Sequence, residues 1–132
     1  MVNFSYMVSS YEKLPASEIV DCAFKVHKQL GPGLLEKIYE TCLCHELGKK
    51  GIHFKRQVDL PIVYDSIIFD EGLRIDVLVE DIIIVELKAV DTINPGWQAQ
   101  VLNHLKLVKL NTGFLINYNV PTIEDGIKRY ML

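Results

Sequence analysis

The 132-residue chain has only three cysteines, Cys22, Cys42 and Cys44, and one tryptophan, Trp97. An odd count without framework spacing argues against a disulfide scaffold and for reduced thiols, as in the cytoplasm. Cys42-x-Cys44-His45 offers zinc-type ligands, but it lies in a helical pattern and has no second ligand pair. No apolar run approaches the ~20 residues that a bilayer-spanning helix needs, so no membrane partner is expected. The opening MVNFSYMVSSYEKLP lacks the basic start and apolar core of a secretory signal. Repeats and low-complexity tracts are also missing. Positive charge is not in excess: 14 Lys and Arg face 17 Asp and Glu, for a net charge of −3. That balance disfavours a general nucleic-acid binder, whose footprint is usually basic. A nuclease is not excluded, because only a local patch must face phosphate.

What is present is an ordinary globular composition, 49% hydrophobic and 23% charged. Its length suits one core-bearing domain. Residues 1–14 show no period and are expected to form an arm, with a single domain over 15–132. From Pro15, Ile19, Ala23, Val26 and Leu30 recur at helical spacing. Gly31-Pro32-Gly33 stops that helix. A second helix is expected from about Leu34 to Lys50, with Leu35, Ile38, Tyr39, Cys42, Leu43 and Leu47 inward and Gly51 as its cap.

The period then shifts to two. Phe54, Val58, Leu60, Ile62 and Tyr64 mark a strand that Pro61 confines to an edge or divides. Ile67–Asp70 and Leu73–Glu80 read as two further strands. Val79-Glu80-Asp81-Ile82 is a tight connection into the strand 82–89, making a hairpin. Ile82–Leu87 does not alternate, as in a strand covered on both faces. A loop leads to a third helix, Pro95 to Leu107, and Thr112–Asn119 is another buried strand. Strand, helix, strand in that order implies a parallel, right-handed crossover. The tail suggests a short helix from Thr122, where Thr-x-x-Asp resembles a capping box. The class is therefore α/β with a mixed sheet.

The apolar strand 82–89 ends in Glu86-Leu87-Lys88. On a strand, Glu86 and Lys88 share a face with Ile82 and Ile84. Buried carboxylates are costly when unpaired, and hairpin geometry brings Asp76 towards Glu86. Two carboxylates repel unless a proton or cation is shared. A hard divalent cation such as Mg²⁺ relieves the conflict, and Lys88 could then orient or deprotonate a water and offset phosphate charge. The bland alternative is a solvated strand end, with Asp76 paired to Arg74 or Lys88.

Gly33-x-x-Glu36-x-x-Tyr39 within GPGLLEKIYE resembles the motif of the GxxExxY proteins, which are assigned to the PD-(D/E)XK nuclease-like superfamily. LRIDVLVEDIIIVELKAVD resembles the family's central hairpin, QAQVLNHLKL and GFLINYNV its closing helix and strand, and DGIKR its ending. The resemblance spans about residues 17–130. It implies a restriction-endonuclease-like core, α-β-β-β-α-β, with helices flanking a mixed central sheet, and metal-dependent phosphodiester cleavage with Mg²⁺ or Mn²⁺. It further implies that Asp76 and Glu86 bind metal, that Lys88 is the catalytic lysine and that Glu36 completes the acidic cluster. Gln100 would position metal, water or DNA. Where the family motif often has an aromatic residue four positions on, this chain has His104, which can still donate a hydrogen bond.

Tyr39 reads first as a packing residue with one hydroxyl partner, and otherwise as a support for Glu36 or a substrate contact. Trp97 reads as packing or self-association before base stacking. Lys49, Lys50, Lys55 and Arg56 form either a solvated turn or a phosphate-contacting rim. The partner implied is nucleic acid, in the first place DNA, and a homodimer would give a small domain enough surface to engage a duplex. The other functional class that fits is a non-catalytic binding or assembly module on the same fold.

Overall fold

The computed structural model describes residues 4–132, and of residues 4–13, 70 and 71 the backbone alone. Helix α1 (Phe4–Leu30) packs against α2 (Glu36–Lys49). Strands β1 (Phe54–Tyr64), β2 (Ile67–Val79) and β3 (Ile83–Lys88) follow. Then come α3 (Gly96–Val108), β4 (Thr112–Asn117), a 3₁₀ turn (Ile123–Gly126) and β5 (Ile127–Met131). The five strands lie in sequence order in one sheet. All neighbours are antiparallel except β3 and β4, which run parallel across the α3 crossover. This is the mixed, helix-flanked α/β architecture that the sequence pattern implies.

Two apolar layers sandwich the sheet. On one side Ala16, Ile19, Cys22, Ala23 and Val26 of α1 and Tyr39, Leu43, Cys44 and Leu47 of α2 meet Val77, Val79, Ile83, Val85, Leu87, Phe114 and Ile116. On the other, Val101 and Leu105 of α3 cover Ile75, Ile84 and Leu115. Every residue from Ile83 to Leu87 is buried, which explains the unbroken apolar run. Helix α1 ends at Gly31, whose φ of 67° suits glycine and whose N–H reaches the His27 carbonyl at 2.7 Å.

Several elements differ from the sequence expectation. Helix α1 starts at Phe4, well ahead of Pro15; residues 1–3 of the expected arm lie outside the described residues. Leu35 and Ile38, expected inward, are 74% and 41% exposed. The buried stripe of α2 is instead Tyr39, Glu40, Leu43, Cys44 and Leu47, rotated because the sheet covers only that narrow face. The two strands expected between Ile67 and Glu80 are one, β2. The tail makes a 3₁₀ turn and then pairs as β5 with β4, and Thr122 forms no side-chain cap. Pairing to an available sheet edge outweighs the weak local helix signal.

The β2–β3 hairpin turns at Glu80 and Asp81, with φ of 53° and 57°, and Ile82 N–H bonds the Val79 carbonyl at 3.0 Å. Two consecutive left-handed residues match the twist of a tight hairpin.

Candidate active site

Strand β2 turns its face over at Asp76. Val77 and Val79 lie in the α1/α2 layer, whereas Ile75, at the same parity, lies in the α3 layer. Opposite, β1 turns likewise: Phe54 packs on the first layer, Val58 and Leu60 on the second, with Gln57 between them at φ 50°. The β2–β3 ladder reaches only the Val77↔Val85 pair. Beyond it the Asp76 carboxylate takes over, its Oδ2 accepting the Leu87 N–H at 2.9 Å. Asp76 is thus fixed beside the strand that carries Glu86 and Lys88.

Glu86 is 7% exposed and faces α3, where its Oε1 lies 3.3 Å from His104 Nδ1. In the tautomer protonated at Nδ1, His104 donates to it. Burial lifts the Glu86 carboxyl above its ordinary value; the His104 contact opposes the lift and the Asp76 charge adds to it. Glu36, in the first turn of α2, is also lifted, first by lost hydration and then by Asp76, with Lys88 pulling the other way. Its surface is nonetheless open to solvent. Glu36, Asp76, Glu86 and Lys88 thus form one electrostatic group drawn from α2, β2 and β3.

Lys88 is half-buried, and its Nζ sits 4.7 Å from the centroid of the Trp97 ring at the start of α3. The chain after Lys88 is clamped by Asn117, which donates to the Val90 carbonyl and accepts the Val90 N–H at 2.9 and 3.1 Å. Gln100 is exposed and has His104 one turn along α3. With Leu73, Asn103 and Lys106 these two line a cleft of about 590 Å³ between β2 and α3.

Tyr39 does not reach the acidic group through any hydrogen bond. Its hydroxyl donates to the Gly31 carbonyl at 2.5 Å and accepts the Leu34 N–H at 3.1 Å, while its ring stacks on Tyr118 at 4.4 Å. It fastens the turn that launches α2 and hence places Glu36. Sequence reasoning missed Glu40, which is 5% exposed and takes Arg56 Nε at 2.9 Å, Arg56 Nη2 at 2.8 Å and Gln57 Nε2 at 2.6 Å. The signal was there: Glu36 and Glu40 stand one helical turn apart, and such like charges call for a cation. Sequence reasoning also missed the pairing of Trp97 with Lys88.

The four basic residues at the helix–strand junction all have carboxylate partners. Lys49 pairs with Glu46, Lys50 with Glu18, Lys55 with Asp81 and Arg56 with Glu40. The phosphate-rim reading thereby loses its free cations. Cys42 and Cys44, two residues apart on α2, do not share a helical face, and burial pushes the Cys44 thiol up to about 12. Among the described residues no group of three or more His, Cys, Asp and Glu side chains is arranged to hold a metal ion. The donor chemistry nevertheless suits a hard cation, since the Asp76 charge disfavours ionisation of the buried Glu86 carboxyl beside it.

The raised Glu86 carboxyl has a testable sign. A carboxyl whose folded value exceeds its unfolded value holds more protons in the native state, so stability falls as pH rises from about 4.5 through the raised value. Glu86→Gln is expected to flatten that part of the stability profile in metal-free buffer, measured by urea unfolding from pH 4 to 8. An unchanged slope would mean that Glu86 titrates as a solvated group.

The sequence profile of the PD-(D/E)XK nuclease superfamily matches residues 14–130, and the chain belongs to this superfamily. Searches of curated proteins and of solved structures return no match. Among the described residues no helix is long and apolar enough to cross a membrane.

Proposed function

We propose that this superfamily member is a metal-dependent nuclease of the GxxExxY type, acting in the cytoplasm on phosphodiester bonds of nucleic acid, in the first place DNA. The observation that carries the reading is the pairing of Asp76 with the buried Glu86 where the β2–β3 ladder ends, with Glu36 and Lys88 in electrostatic range. Asp76 and Glu86 would hold Mg²⁺ or Mn²⁺, with Glu36 as a third acid. The ion would supply Lewis acidity and a more acidic bound water. Lys88 would offset charge on the phosphate and orient the attacking water. Gln100 would hydrogen-bond substrate or water from the wall of the α3 cleft, and His104 would hold the Glu86 carboxylate in its rotamer. A homodimer belongs to the same reading, because a domain of this size offers little surface to a duplex.

Isothermal calorimetry with MnCl₂ tests the metal site directly. The wild type is expected to bind, and Asp76→Asn and Glu86→Gln to weaken binding about tenfold or more, as loss of a charged ligand should. A wild type that releases no binding heat removes the metal-dependent reading.

A second reading, a catalytically inactive module that binds or assembles on this fold, is favoured by the His104–Glu86 contact, which already engages the buried acid. Nucleic-acid affinity that is undiminished in EDTA, without cleavage in Mg²⁺ or Mn²⁺, would select it.

A further inference from the structure

The buried Glu40 carboxylate is shared by two consecutive residues of β1. Arg56 gives Nε and Nη2 to Oε2 at 2.9 and 2.8 Å, and Gln57 gives Nε2 to Oε1 at 2.6 Å. In an extended strand, consecutive side chains leave opposite faces. Arg56 has the parity of Phe54, which packs in the α1/α2 layer, so it reaches α2 in the ordinary way. Gln57 reaches the same carboxylate because its φ is 50°. A residue other than glycine keeps a left-handed backbone only where its surroundings impose it. Gln57 is exposed, so packing does little to hold it there, and the Glu40 carboxylate supplies the anchor.

The bend has a counterpart across the ladder. The pairs Arg56↔Val77 and Val58↔Ile75 put Gln57 directly opposite Asp76. At this row both strands turn over: Phe54 and Val77 belong to the α1/α2 layer, Val58 and Ile75 to the α3 layer. Paired strands must turn together, because a flip in one alone would move its apolar set off the core face. Asp76 leaves the β2–β3 ladder at the same point, and its Oδ2 takes the Leu87 N–H at 2.9 Å. We propose that Glu40 is a positioning residue for the candidate site: by gathering Arg56 and Gln57 on one carboxylate, it fixes the β1 bend that sets Asp76 on the Leu87 amide. A plain structural ion pair needs Arg56 alone. The added Gln57 bond, at the row where β1 and β2 turn over, ties that pair to Asp76. The inference deepens the metal-site reading and rests on it for what Asp76 does, though not for how Asp76 is placed.

Amide hydrogen exchange of the full chain in EDTA, followed by NMR, reads that placement without metal. The reporter is Leu87, and the reference is Val85, which pairs with Val77 in the same ladder. Glu40→Leu is expected to speed Leu87 exchange relative to Val85 about tenfold or more, the scale of an unsupported left-handed residue. Adding Gln57→Gly, which takes a positive φ freely, should bring the ratio back to within about threefold of the wild type. Gln57→Val alone leaves α2 untouched and should act like Glu40→Leu, since a β-branched side chain resists this conformation. It keeps the test decisive should Glu40→Leu fail to fold. An unchanged Leu87-to-Val85 ratio in either single variant overturns the proposal. So does a double variant that exchanges as fast as Glu40→Leu, which would assign Glu40 to general packing. Mn²⁺ affinity, measured by calorimetry on the same proteins, should fall and recover in the same order. Because exchange is read in EDTA, it decides the proposal even where the wild type binds no Mn²⁺, a result that removes the metal reading alone.

Discussion

Replacing Lys88 with alanine should slow phosphodiester cleavage by about a hundred- to ten-thousandfold, the range typical of removing a positioned proton-transfer or charge-stabilising group. The reasoning is geometric. Lys88 stands two residues beyond Glu86 on the same strand face, in the electrostatic field of Glu36 and with its ammonium over Trp97. It is only half-buried, so its removal orphans no buried partner, and the fold should persist. Mn²⁺ affinity should change by no more than a few-fold, which separates a role in the reaction from a role in the site's integrity. Trp97 is the sole tryptophan, so altered emission in Lys88→Ala is an internal check on the contact. Cleavage equal to that of the wild type would remove Lys88 from the mechanism.

The largest loss of stability is expected from Tyr39→Ala, about 3–5 kcal/mol, as for other fully buried aromatic side chains. Tyr39 is completely buried, lies flat against Tyr118 and ties both Gly31 and Leu34. Against the 5–15 kcal/mol usual for a domain, that loss is a large fraction. Tyr39→Phe keeps the stack and drops the two hydrogen bonds, so about 1–3 kcal/mol should be lost. Urea unfolding of both variants measures the difference. A Tyr39→Ala protein within 1 kcal/mol of the wild type would show that the turn before Glu36 is held by other contacts.

Period and punctuation made the core legible. Helical spacing found Ile19, Ala23 and Val26 of α1, although it also named Leu30, which is 37% exposed, and Gly31 marked the helix end. The unbroken Ile82–Leu87 run identified a strand covered on both faces, and the burial of every residue from Ile83 to Leu87 agrees. Local pattern could not show that β2 and β1 turn their faces over together at Asp76 and Gln57, because strand alternation assumes that they do not. Nor could it place Leu35 and Ile38, whose exposure depends on how much of α2 the sheet covers. The tail shows the same limit: Thr122-x-x-Asp125 is a local helix signal, but β4 supplies a free edge from elsewhere in the chain. For the site, the Glu86-x-Lys88 pair and Asp76 could be found because they lie in one hairpin. The His104 contact with Glu86 and the Trp97 contact with Lys88 depend on how α3 docks on the sheet, which spacing does not encode. Glu40 carried a signal in standing one turn after Glu36, but its partners Arg56 and Gln57 come within reach only when α2 docks on β1.

The parallel pairing of β3 with β4 also orders events in time. Antiparallel β1, β2 and β3 can zip together as neighbouring hairpins while synthesis is still under way, whereas β4 must wait for the whole α3 connection. Asp76, Glu86 and Lys88 therefore leave the ribosome ahead of Trp97, Gln100 and His104, with Asn117 later still. A chain grown only as far as Lys88 holds its acids without the wall that encloses them, so the candidate site is complete only once α3 and β4 have been made.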